Sequence, residues 1–176
     1  KPLWKYVVDL DTRVLLEKLS FKYLDDAITL DEALNIIETK KQDVKLQEAL
    51  IRKIGFPCYT TAVGWLGYSD EKMTALTKDA LKKGWTHFKM KVGQDITRDI
   101  HRCKLMRTLI GDENFLMIDA NQVWSVNESI KFINELKKFD LYFVEEPTSP
   151  DDILGFKKIK NAIGDVNLAT GEMCQN

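Results

Sequence analysis

From residue 57 onward the chain keeps a steady beat, and that beat limits its fold more than any other feature. Short runs rich in β-branched and aromatic residues, at 58–63, 87–92, 115–119, 141–145 and 168–172, alternate with stretches of helical periodicity. Each strand-like run from the second to the fifth ends near a charged residue. Lys91, Asp119, Glu145 and Glu172 follow one another at intervals of 28, 26 and 27 residues. Strand, helix, strand at this pitch predicts parallel strands joined by right-handed crossovers. Two α/β architectures satisfy the pattern: a doubly wound open sheet, or part of a TIM-type (β/α) barrel.

The helix signals agree with the beat. Ser69 is placed to cap the first helix, which carries Met73, Leu76, Ala80 and Leu81 on one face and stops at Gly84. Asp95 heads the second, with Ile96, Ile100, Cys103 and Ile110 inward and Gly111 behind it. Ser125 and Glu128 form a capping box for the third, whose apolar face is Ile130, Ile133 and Leu136. In Ser149-Pro150-Asp151-Asp152 the serine reads as a cap, the proline as the first helical residue and the acids as partners of the helix dipole. Gly164 closes this fourth helix. Residues 1–56 read differently. Pro2 starts one helix, the Thr29 to Glu32 box another, and 44–54 is a third amphipathic stretch ending at Gly55, with no strand pattern among them. The expected division is a helical lead-in and insertion over 1–56 and the first five strands of a barrel over 57–176.

The charges at the strand ends carry the chemistry. In Phe88-Lys89-Met90-Lys91-Val92 the period of two puts both lysines on one face and the apolar residues on the other. A strand inside a parallel array is normally apolar on both faces, so two lysines there need a reason. An edge strand guarded by lysine is one such reason. Three carboxylates in phase on the following strands point to another. Asp119, Glu145 and Glu172 would open on the same mouth, the end at which open and closed α/β folds bind ligands. Three oxygen donors form a site for a hard cation, most readily Mg²⁺. Without a cation the acids would repel one another, and some would be forced to protonate. A lysine beside another ammonium, and buried, has its pKa lowered toward that of a base working near neutral pH. Base, divalent cation and acid-rich mouth together suggest removal of a proton next to a carboxylate.

Composition removes several other classes. With 26 Lys and Arg against 27 Asp and Glu the net charge is −1, which argues against a nucleic-acid partner. No apolar run approaches the ~18 residues of a membrane span. Cys58, Cys103 and Cys174 lie far apart, a pattern of a reducing, intracellular compartment in which each is read as a small buried hydrophobe. The chain opens Lys1-Pro2-Leu3-Trp4, with no targeting segment in view; either one was removed or the chain starts within a longer protein.

Lys89-Met90-Lys91, Asp119-Ala120-Asn121, Glu145-Glu146-Pro147 and Gly171-Glu172 together resemble the enolase superfamily, in its mandelate-racemase-like branch. Trp65 to Asp70 and Glu145 to Asp152 look, more narrowly, like the L-fuconate dehydratase group, and the similarity runs over essentially the whole chain. Sites of this superfamily pair a lysine or histidine base with Mg²⁺. The resemblance implies that Asp119, Glu145 and Glu172 are the Mg²⁺ ligands. It makes Lys91 the base on the α-carbon, and Lys89 the residue that tunes it and touches the substrate carboxylate. Asn121 would lie beside metal and substrate. The implied reaction is dehydration of an L-fuconate-like acid sugar through an enediolate to a 2-keto-3-deoxy acid, in a mitochondrial or cytoplasmic enzyme of carbohydrate catabolism. A homo-oligomer built through the barrel is compatible with it.

The family's acid catalyst is a histidine on the seventh strand, paired with an aspartate on the sixth, and five strands do not reach them. His87, early on its strand, and His101, within a helix pattern, are expected to be ordinary structural or surface residues. A closed barrel takes about 250 residues. The 176 residues are therefore expected to be a portion of a larger enzyme, inactive alone, without the later histidine or the substrate-reading capping domain. Three alternatives remain open. One is a racemase, epimerase or cycloisomerase on the same metal ligands, another a protein that binds the metal without catalysis. The third is a five-stranded flavodoxin-like module, against which the placement of lysines and acids argues.

Overall fold

The computed structural model describes residues 3–19, 21, 26–55 and 59–174, and the chain divides into two compact units, 1–57 with Asn176, and 58–175. In the first unit the described residues form helices only: α1 (Leu3–Asp9), α2 (Thr12–Leu16), α3 (Leu30–Lys41) and α4 (Val44–Ile54). The expected capping box opens α3: Thr29 Oγ1 accepts the Glu32 N–H, and the Glu32 carboxylate accepts the Thr29 N–H. Gly55 ends α4 at φ +76°, a conformation that glycine adopts without steric cost. α2 packs on α3, and a Thr12–Glu38 hydrogen bond joins the two. The start of the first helix at Pro2 lies outside the described residues.

The second unit is one sheet of five parallel strands: β1 (Thr60–Gly64), β2 (His87–Lys91), β3 (Phe115–Asp119), β4 (Leu141–Glu145) and β5 (Asn167–Ala169). Helices α5 (Asp70–Lys82), α6 (Ile96–Ile110), α7 (Val126–Leu136) and α8 (Ile153–Ile163) make the crossovers. The strand order β1-β2-β3-β4-β5 separates the two architectures that the sequence leaves open. A flavodoxin-like sheet is ordered 2-1-3-4-5 and reverses direction, placing helices on both faces. Here every connection steps the same way. Right-handed crossovers then put all four helices on one face, as in a barrel wall. The helices accordingly pack α5 on α6, α6 on α7 and α7 on α8. The sheet is an open arc of the (β/α) type.

One face of the arc meets the helices. Phe88, Met90, Leu116, Ile118 and Val144 alternate onto it, and with Met106, Ile133 and Ile159 from the helices they form the core. The intervening residues, Lys89, Lys91, Met117, Asp119, Phe143 and Glu145, take the other face. The strand pairing shifts at Tyr142, where Leu116 pairs with Leu141 but Met117 with Phe143. That one extra residue lets Leu141 and Val144 both reach the core while Phe143 and Glu145 stay opposite.

Helix starts follow their caps, with one correction. Ser69, Asp95 and Ser125 cap α5, α6 and α7. The fourth crossover helix does not begin at Ser149-Pro150. Asp152 caps α8 instead, its Oδ1 accepting the Gly155 N–H at 2.7 Å, while Ser149 closes a preceding turn by accepting the Asp152 N–H through its carbonyl. An aspartate that reaches the third backbone donor is the stronger of the two signals. Of the cysteines, Cys103 is buried in the core as expected, and burial pushes its thiol pKa up. Cys174 is exposed, contrary to expectation, and Cys58 lies outside the described residues.

Candidate active site

Strand register builds the site. Lys91, Asp119, Glu145 and Ala169 are successive partners across β2, β3, β4 and β5, so they form one layer at the carboxyl end of the sheet. Lys89 lies one layer below, on the same face, level with Met117. The two lysines reach sideways. Lys91 Nζ donates to Asp119 Oδ2 and to Asn121 Oδ1, each at 2.7 Å. Lys89 Nζ stands 3.1 Å from the same Asp119 oxygen and donates to Glu145 Oε2. The Asn121 N–H completes the shell of Asp119, donating to Oδ1 at 2.9 Å. Two aromatic rings cover the lysines: Tyr59 lies 4.9 Å from Lys89 Nζ and Trp65 5.7 Å from Lys91 Nζ.

This is a buried, charge-balanced cluster. Asp119 is fully buried and Lys89 is 4% exposed. Burial pulls the Lys89 ammonium toward its neutral form, but hydrogen bonds to Glu145 and Asp119 outweigh it and hold its pKa above the ordinary lysine range. Lys89 is therefore held in its charged form, because the carboxylates neutralise the repulsion between the two ammoniums. For Asp119, burial raises the pKa, and bonds from Lys91, the Asn121 N–H and Lys89 reverse this to a net lowering.

Five of the six expected site residues thus converge: Lys89, Lys91, Asp119, Asn121 and Glu145. Glu172 does not join them. β5 ends at Ala169, not at 172, and Glu172 sits exposed in the turn that follows. The cause lies on β4. Glu145 is the last residue there to pair with β5, and the next N–H, of Glu146, already takes the Ala169 carbonyl at 2.9 Å, leaving β5 no partner beyond that point. Among the described residues no group of three His, Cys, Asp or Glu side chains is close enough to hold a metal ion. Two carboxylates do converge on one cation, the Lys89 ammonium, which stands between them. This donor set of paired carboxylate oxygens fits Mg²⁺ chemistry.

Two residues at the site had gone unnoticed in the sequence. Arg102, on α6 and 1% exposed, donates to the carbonyls of Lys91 at 2.8 Å, Gly64 at 3.0 Å and Trp65 at 2.8 Å, tying the end of β1 to that of β2. Asp99, one turn earlier, accepts the Gly93 N–H at 2.7 Å. Gly64 itself is required, since a Cβ there would lie 2.7 Å from the Met90 Cα. The histidines stay outside. His87 stacks on Phe115, and His101 pairs with Asp70 on the surface.

Residues 72–176 match the family described as "Enolase C-terminal domain-like". The chain belongs to the enolase superfamily. Mitochondrial enolase superfamily member 1 of Xenopus laevis is 49% identical over all of this chain and 40% of its own length. The crystal structure of the human protein of that name superposes with a TM-score of 0.92 at 45% identity, again over all of this chain and 40% of the other. L-galactonate dehydratase of Hypocrea jecorina is 42% identical over the whole chain and 40% of its length. The crystal structure of L-talarate/galactarate dehydratase from Salmonella typhimurium, liganded with Mg and L-lyxarohydroxamate, matches 66% of this chain and 30% of that one at 34% identity, with a TM-score of 0.63. The chain therefore spans about two fifths of the curated relatives that match it in full. No described helix is long and apolar enough to cross a membrane.

Proposed function

We propose that this chain carries the base and the cation ligands of a Mg²⁺-dependent hydro-lyase acting on a six-carbon acid sugar of the L-fuconate or L-galactonate type. The observation that carries the reading is the single layer in which Lys91, Asp119 and Glu145 meet on neighbouring strand ends, with Lys89 between the two acids. A full-length relative named as an acid-sugar dehydratase and a Mg-liganded structural neighbour support it.

Asp119 and Glu145, with Glu172 from the turn after β5, are the proposed Mg²⁺ ligands. When bound, the cation supplies positive charge that offsets the carboxylates and the charge developing on the substrate's carboxylate oxygens. Lys91 Nζ, at the open end of the layer, takes the proton from the α-carbon. Lys89 Nζ, held charged, donates to the substrate carboxylate, and the Asn121 amide fixes its orientation. The β-hydroxyl would leave as water by taking a proton from the general acid expected on the later strands, and tautomerisation then gives a 2-keto-3-deoxy acid. Residues 1–56 serve as a helical lead-in and insertion ahead of the barrel, and the enzyme works in mitochondria or the cytoplasm.

Incubation of the complete enzyme, of which these residues are expected to be a portion, with L-fuconate, L-galactonate and galactarate in deuterated buffer containing Mg²⁺ tests the proposal. α-Proton exchange seen by NMR, together with a 2-keto acid product, is expected; Lys91→Ala abolishes both. Exchange without water loss would move the reading to a racemase or epimerase. No exchange with any acid sugar would remove it.

A further inference from the structure

Glu146 has a buried side chain that the proposed reaction does not use and that stability does not account for. It is 1% exposed, and among the described residues its Oε1 is buried without a hydrogen-bond partner. A carboxylate withdrawn from water with an oxygen left unpaired is costly. Its backbone is costly as well, being left-handed at φ +43° without a glycine. Four non-glycine residues among those described have positive φ, and three of them flank the proposed metal ligands: Glu146 after Glu145, and Asn121 and Gln122 (+46° and +67°) after Asp119. Strain gathered at two adjacent strand ends, with only Asp140 elsewhere among the described residues, calls for a functional reason.

The hydrogen bonds of Glu146 supply one. Its Oε2 accepts from Gln122 Nε2 at 3.1 Å, and its carbonyl accepts the Gln122 N–H at 2.8 Å. The Glu146 N–H reaches the Ala169 carbonyl on β5, so one residue joins the ends of three strands. Just before this pair, the Ala120 N–H donates to the Glu145 carbonyl at 3.0 Å. From α7, Ser129 Oγ braces the same corner through the Pro147 carbonyl at 3.1 Å. The side-chain and backbone bonds between Glu146 and Gln122 form a two-point clamp across β3 and β4, just beyond the residues that bear the converging carboxylates.

We propose that Glu146 is a positioning residue. Through Gln122 it holds the ends of β3 and β4 at the separation that lets Asp119 and Glu145 close on a single divalent cation. The inference rests on the reading of that pair as a Mg²⁺ site, and it assigns to the clamp the geometry of the site, apart from its stability.

Titration calorimetry of the full chain with MgCl₂, alongside urea unfolding of each variant, tests it. Outer-shell partners of metal ligands typically contribute 10–100-fold to affinity. Glu146→Ala and Gln122→Ala are therefore expected to weaken Mg²⁺ binding by at least about tenfold. Glu146→Gln, which still offers an oxygen to Gln122, stays near the native affinity, and so does the exchange Glu146→Gln with Gln122→Glu, which restores the pair in reverse. If Glu146→Ala fails to fold, Gln122→Ala, at a half-buried position, carries the test. Native Mg²⁺ affinity in Gln122→Ala, whatever its stability, overturns the clamp and leaves the metal site standing. Absence of Mg²⁺ binding by the native chain overturns both.

Discussion

Replacing Lys89 by methionine separates the two functions that the cluster combines, holding charge and receiving a cation. Methionine keeps the apolar stem and loses the ammonium, which in the native chain stands 3.1 Å from Asp119 Oδ2 and donates to Glu145. Removing one partner from a buried ion pair costs about 3–5 kcal/mol, because the other charge stays buried. Here Asp119 keeps Lys91 at 2.7 Å, so Glu145 is the group left alone and the cost falls toward the lower end, about 3 kcal/mol. For a chain of this size that lowers Tm by about 6–12 °C. Mg²⁺ should return most of it: a ligand at 100 times its Kd adds about 2.7 kcal/mol of stability by mass action. The native chain, whose carboxylates are already neutralised by lysine, gains less from the ion. Circular-dichroism melts of both proteins with EDTA and with excess MgCl₂ decide the matter. An unchanged melt of Lys89→Met in EDTA would show that the buried ion network contributes no stability. A large loss that Mg²⁺ does not repair would show that Asp119 and Glu145 do not form a cation site.

Other consequences are simpler to measure. Gly64→Ala places a Cβ 2.7 Å from the Met90 Cα and 2.9 Å from the Lys89 carbonyl, so β1 must move off β2; a loss of about 1–3 kcal/mol in urea unfolding is expected, and an unchanged midpoint would refute the close approach. Asp99 is buried, and burial raises its pKa above the ordinary 3.8. A carboxyl raised in the folded state contributes stability that is fully present below its unfolded value and lost as pH rises through the folded value. The stability of the native chain relative to Asp99→Asn should therefore decline from pH 3 to pH 7, and a difference that grows in favour of the native chain would contradict the sign. Cys174 is exposed and Cys103 buried with its thiol pushed up, so Cys174→Ser should remove a fast phase of reaction with an aromatic disulfide reagent, whereas Cys103→Ser should leave the fast phase intact.

The parallel strands, the crossover helices and the acids at the strand ends were legible because each leaves a local mark. A strand buried on both faces reads as an apolar run, a capped helix shows Ser125 three residues before Glu128, and Lys89 and Lys91 interrupt the run on one face only. Strand order leaves no such mark. The same βα pitch serves a sheet that reverses and one that does not, and only the pairing of β1 with β2 through β4 with β5 removes the flavodoxin-like alternative. Glu172 went astray for a related reason. The run at 168–172 reads as strand to its end on spacing, but a strand lasts only as long as its neighbour offers partners, and the last bond from β4 is the Glu146 N–H to the Ala169 carbonyl, after which Glu146 turns left-handed.

Asp99 and Arg102 were missed by a rule that usually works. Charged residues on an amphipathic helix are usually read as its solvent face, and Ile96 and Ile100, which do pack against the core, give no sign of the acid and the arginine beside them. Yet residues 99, 102, 103, 106 and 110 share one face by i+3 and i+4 spacing, and that face includes Cys103, Met106 and Ile110, all in the core. Read by spacing alone, the arginine belongs inside. It belongs there because a sheet whose carboxyl ends carry a site cannot satisfy every terminal carbonyl by strand pairing. Gly64, Trp65 and Lys91 each leave a carbonyl at the edge of the ladder, and a planar cation with several donors serves all three at once. The buried guanidinium and the buried Lys89 ammonium thus answer one requirement in two places. Where strands end in order to present side chains, the freed oxygens, of backbone and of carboxylates alike, need positive charge close by.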